Sequence, residues 1–70
     1  MEYLVIIEES PTGYGAYVPD LPGCVAAGDT RAEVEALIRE AVAFHIEVLR
    51  QDGLPVPAPA STAQLISVTG

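Results

Sequence analysis

Residues 29–55 read DTRAEVEALIREAVAFHIEVLRQDGLP, and they specify one long helix with both ends marked. Thr30 is the expected N-cap, and Glu33, three residues on, completes a capping box. At 100° per residue, Val34, Leu37, Ile38, Ala41, Val42, Phe44, His45, Val48 and Leu49 share one broad face, while Glu35, Arg39, Glu40, Glu47 and Arg50 take the other. Gly53 stands where a left-handed closing residue belongs, Leu54 can reach back to Leu49, and Pro55 forbids continuation. The spacing predicts a helix over 31–51, about 30 Å long at 1.5 Å per residue.

Working outward toward the N-terminus, Cys24–Gly28 is a short strand of small side chains. Leu21-Pro22-Gly23-Cys24 before it has the Pro-Gly pairing of a type II turn. Tyr14–Val18 is a second strand, closed by Pro19, which cannot donate to a ladder. Ser10-Pro11-Thr12-Gly13 has the residue preferences of a type I turn and joins that strand to a first one over residues 2–9. In that first strand Tyr3, Val5 and Ile7 alternate with Leu4 and Ile6, so both faces are apolar and a central position is expected. Beyond the helix, residues 54–59 alternate proline and should be extended, and Gln64–Thr69 is a plausible last strand.

These elements predict an α+β fold, a two-layer β-β-β-α-β arrangement. Its four-stranded mixed sheet has the order 3-2-1-4, with one long helix on one face. A single helix covers only one face of such a sheet. The other, carrying apolar groups of the first strand, then needs a cover from outside the chain.

Seventy residues make one domain, 1–70, and a chain this short buries only about 60% of the surface its unfolded form exposes. Cys24 is the sole cysteine, so no internal disulfide is available. Cys24 and His45 are the only soft ligands, and no metal or other cofactor is expected. Association with another chain is the remaining route to stability, and a homo-oligomer, dimer or tetramer, is expected. Ten acidic residues face three arginines and no lysine, for a net charge of −7. That field has the wrong sign for nucleic acid and suits a basic protein partner. The apolar start is too short for a membrane span and lacks the basic opening of a signal peptide. A cytoplasmic location without membrane association is expected.

No catalytic constellation stands out. His45 falls in phase with Val34, Ile38 and Leu49, as a packed residue would. Cys24 has no neighbouring cation to activate it. Glu8, Glu9, Asp20 and Asp29 could in principle gather Mg²⁺, but Glu8 and Glu9 alternate across the strand, Asp20 suits a turn, and Asp29 suits a helix N-terminus. The chain is therefore expected not to be an enzyme.

The segments GYGAYVPDLPGC at 13–24, GDT at 28–30 ahead of the long helix, and DGLPVPAP at 52–59 resemble HicB antitoxins over nearly the whole chain. The resemblance implies a reduced ribonuclease-H-like fold. It also implies a function: binding and occluding a small basic HicA-type toxin that cleaves mRNA. Many HicB proteins add a C-terminal helix-turn-helix or ribbon-helix-helix segment. None is read here, and direct DNA binding is not expected. The partner-binding residues expected are Glu8, Glu9, Tyr17 and Asp20. Two rival readings stay open: a residual ribonuclease-H-like, Mg-dependent nuclease, and an orphan protein-interaction module.

Overall fold

The computed structural model describes residues 1–70 and contains β1 (Ile6–Ser10), β2 (Gly13–Tyr17), β3 (Val25–Gly28) and α1 (Arg31–Gln51). The sheet has three strands in the order β1-β2-β3, and both pairings are antiparallel. This corrects the expected four-stranded mixed sheet of order 3-2-1-4. Residues 64–69 form no strand, so the sheet has no parallel pair, and β1 lies at its edge while β2 is central.

The strand expected over residues 2–9 begins only at Ile6, for a local reason. Its partner β2 ends at Tyr17, paired with Ile6. Beyond it, the Val18 N–H donates to the Cys24 carbonyl and the Leu21 N–H to the Val18 carbonyl. The chain therefore turns away at Pro19, and residues 2–5 have no strand to pair with. The Leu21–Cys24 turn closes through the Cys24 N–H onto the Leu21 carbonyl at 3.1 Å, with Gly23 at φ 85°.

The helix begins and ends where its local chemistry dictates. Thr30 caps it by accepting the Glu33 N–H at 3.1 Å. At the other end Gly53, at φ 70°, donates to the Arg50 carbonyl, and Leu54 donates to the Leu49 carbonyl at 2.9 Å. This pair of bonds satisfies carbonyls that the last turn would otherwise leave bare.

Ala16, Val18, Leu21, Cys24, Val34 and Ile38 form the buried core. The helical stripe that packs on it runs through Val34, Ile38, Ala41, Val42 and Ile46. It is narrower than the sequence suggested and displaced from it: Phe44 is 68% exposed, and Ile46 turns inward. α1 rests on β3 and β2 and makes no comparable contact with β1. The proline-rich segment after the helix runs back as a strap. The Tyr3 hydroxyl donates to the Pro57 carbonyl. Asp20 accepts the backbone N–H groups of Ala60 and Ser61 at 2.9 and 3.0 Å.

Candidate functional site

In an antiparallel ladder, directly opposed residues share a face. Ile7, Ala16 and Ala26 are aligned across the three strands and turn toward the core, as does Tyr14, while its ladder partner Glu9 shares that face but is exposed. Ile6, Tyr17 and Val25 are aligned in turn on the opposite face. No element covers that face. Tyr17 is 41% and Val25 65% exposed, which leaves an apolar row with Glu8 beside it.

The four sequence-derived partner residues do not form one cluster. Glu8 and Tyr17 lie on the uncovered face. Glu9 points the other way, where its carboxylate accepts the Tyr14 hydroxyl at 2.7 Å. That bond, together with the nearby carboxylate charge, raises the Tyr14 pKa above the ordinary phenol value. Asp20 lies in the turn between β2 and β3, and its carboxylate is occupied by the strap. The Ala60 and Ser61 amides, helped by the Ser61 hydroxyl, hold its pKa below the ordinary carboxylate value.

The sequence groups Glu8, Glu9 and Asp29 with Asp20, whereas the structure groups them with Glu33. The β1–β2 hairpin and the start of α1 border an open groove of about 690 Å³, whose acidic lining is Glu8, Glu9, Asp29 and Glu33. These residues are 20 or more positions apart in two pairs, and only the β2–β3 register, which places Gly28 against Tyr14, brings them together. The nearest cation, Arg31, is committed to Glu35 at 2.8 Å. The groove edge is therefore a concentrated negative patch.

The candidates for chemistry are dispersed. Cys24 is 3% exposed, and burial pushes its thiol pKa up, which disfavours the thiolate that a nucleophile requires. His45 is half-buried along α1. No three His, Cys, Asp or Glu side chains converge as metal ligands. No helix is long and apolar enough to cross a membrane.

The features that stand out in this small α+β domain are thus an acidic groove and an uncovered apolar sheet face. The comparisons with known proteins identify its family. The family model for HicB-like antitoxins of bacterial toxin-antitoxin systems matches residues 3–69. An antitoxin HicB 2 of Photorhabdus laumondii is 30% identical over 64 residues, covering 91% of this chain and 46% of its own. An uncharacterised 14.9 kDa protein of Haemophilus phage HP1 is 40% identical over 67 residues, covering 96% of this chain and 50% of its own. The chain thus spans about half the length of these relatives. Among solved structures, a chain of a HicA3–HicB3 toxin-antitoxin complex superposes with a TM-score of 0.72 at 38% identity, covering 86% of this chain and 70% of that one. The HicB3 antitoxin alone gives 0.69 at 38% identity, covering 86% of this chain and 44% of that one. The chain belongs to the HicB-like antitoxin family.

Proposed function

We propose that this chain binds a small basic HicA-type toxin and neutralises its mRNA cleavage by occlusion, with no chemistry of its own. The observation that carries the reading is the match in fold and sequence to a chain of a HicA3–HicB3 toxin-antitoxin complex. The acidic groove supplies what a basic partner needs: Glu8, Glu9, Asp29 and Glu33 concentrate negative charge at one end of the molecule, which speeds encounter and fixes orientation. Tyr17 and Val25 on the adjoining uncovered face offer rigid apolar contact. Asp20 serves this surface indirectly, by fastening the strap to the turn that follows β2.

The test is an RNA-cleavage assay with a HicA-type toxin. Stoichiometric addition of the chain abolishes cleavage, and the chain alone with Mg²⁺ leaves RNA intact. Cleavage by the chain alone, lost on Glu8→Gln or Asp20→Asn, would replace this reading with the nuclease one. Intact toxin activity at excess chain would leave only an interaction module of another specificity.

A further inference from the structure

Gly15 stands in the middle of β2, the central strand, where it pairs with Glu8 on one side and Ala27 on the other. A glycine inside a strand weakens it, because it gives up more backbone freedom than other residues and brings no side chain to the ladder. Such a glycine marks a bulge, an unusual backbone angle or a close approach by other atoms. Pairing runs one residue to one through Gly15 on both sides, so there is no bulge. Its backbone angle is ordinary, since the glycines of positive φ are Gly13, Gly23, Gly53 and Gly70. Nor does the chain itself crowd it. A Cβ built at Gly15 would meet only the Ala26 carbonyl oxygen, at 4.0 Å, whereas one at Gly28 would come within 3.1 Å of the Val34 nitrogen. Gly15 is the one glycine that the fold does not require.

The face onto which it opens is the uncovered one. Gly15 shares that face with Glu8 and Ala27 across the ladder and with Gly13 and Tyr17 along β2. Glu8 and Ala27 are about 10 Å apart across the three strands, and between them only main chain reaches the surface. The row of Ile6, Tyr17 and Val25 stands beside this bare patch as a wall. Gly15 and Ala27 also border the acidic groove together with Glu8, so patch and groove are continuous. Glu8 has no ion-pair partner, since the one ion pair of the chain joins Arg31 to Glu35. A second copy of the chain would set this acidic rim against its own like, whereas a basic partner gains from it.

We propose, resting on the toxin-binding reading above, that an apolar side chain of the basic toxin seats on the bare main chain at Gly15, against the Tyr17 ring. Gly15 is then a specificity-determining residue: its missing side chain is the seat. Tyr17 beside it is a rigid aromatic anchor, the kind of group on which a small part of an interface concentrates most of its affinity. Glu8 stays at the solvated rim, where its charge acts on encounter. The weakness that a central glycine brings to β2 is carried by the free chain and offset by contact in the complex.

The test uses the full chain with Gly15→Ala and Gly15→Val, each melted alone and titrated calorimetrically with a HicA-type toxin. Both variants melt at or above the wild-type temperature, because either residue suits a strand better than glycine and the space at Gly15 is open. Affinity moves the other way. It falls several-fold for alanine and on the order of 100-fold for valine, mostly through faster dissociation, as the added methyl groups fill the seat. A glycine needed only by the fold would lower stability and affinity together. A Gly15→Val chain that melts below the wild type would therefore overturn the proposal. So would one that binds toxin as tightly as the wild type does, with the toxin-binding reading left standing. A wild-type chain that fails to bind toxin would overturn both. A change in the mass of the toxin-free chain on Gly15→Val, by light scattering, would put a second copy on this face and overturn the proposal as well.

Discussion

The carboxylate of Asp20 accepts the Ser61 hydroxyl at 2.8 Å, joining residues 41 positions apart. With the Ala60 and Ser61 amides on the same carboxylate, it fastens the C-terminal strap to the turn between β2 and β3. Every one of these bonds is to the ionised form, and this is why the Asp20 pKa is depressed. A folded-state pKa below the unfolded one stabilises the fold above the unfolded value, near 4, and that contribution is lost as pH falls through the folded value. The Ala60 and Ser61 amide proton resonances are thus expected to titrate together, with a midpoint below that of an aspartate in a peptide. In Asp20→Asn the titration disappears and both resonances move to solvent-exposed positions. A midpoint at or above the peptide value would show that the strap is not held by the ionised carboxylate.

A second expectation concerns the core. Leu21 is fully buried although it lies in a loop, and it packs with Val18, Cys24 and Val34. Leu21→Ala removes buried methyl groups and leaves a cavity, at about 2–5 kcal/mol. A domain of 70 residues has only roughly 4–10 kcal/mol in total. The variant is expected to be largely unfolded at 37 °C, measured by thermal melting. A loss below about 1 kcal/mol would mean that the site collapses around the smaller side chain.

The helix was legible in the sequence to the residue, because its ends are fixed by bonds spanning three to five positions: Thr30 with Glu33, Gly53 with Arg50, Leu54 with Leu49. The Leu21–Cys24 turn was legible for the same reason. The sheet was legible in its three hairpin-connected strands and not beyond. Apolar residues on both faces of β1 were read as a sign of central placement. In the structure Ile7 meets the core, while Ile6 joins the uncovered row with Tyr17 and Val25. QLISVT has the composition of a strand, but a strand requires a partner, and composition does not supply one within the chain. The candidate site divides along the same line. Glu8, Glu9 and Asp29 are legible as a group of carboxylates, whereas the place of Glu33 beside them, and of Asp20 apart from them, depends on long-range register. Asp20 was read as a partner-facing charge because its own partners lie 40 and 41 positions away.

A third expectation tests the two local devices that hold the sheet to the helix. Thr30→Ala deletes the acceptor for the Glu33 N–H and costs about 1 kcal/mol. Gly13 sits at φ 150°, where a Cβ would come within 2.6 Å of the Gly28 carbonyl oxygen. That oxygen is backbone and cannot rotate aside, so Gly13→Ala forces the β2–β3 register open at its end, at roughly 1–3 kcal/mol. Urea denaturation measures both. Thr30→Ser should restore most of the first loss, and a Gly13→Ala variant as stable as wild type would show that the hairpin end moves freely.

The last expectation separates local charge from total charge in toxin binding. Glu8→Lys/Glu9→Lys reverses the groove edge, and Glu40→Lys/Glu47→Lys reverses two exposed positions on α1. Each exchange adds two positive charges, so both doubles move the net charge from −7 to −3. If attraction arises from the overall field, the two variants slow association with a HicA-type toxin equally. If the groove is the docking edge, the first slows it on the order of tenfold and flattens its dependence on ionic strength, while the second changes it little. Dissociation rates should move less than association rates in both, since charges at a solvated rim act mainly on encounter. Stopped-flow association at several salt concentrations gives both slopes. Equal slopes would place the toxin-binding surface away from Glu8 and Glu9, with the uncovered face of Tyr17 and Val25 as the remaining contact.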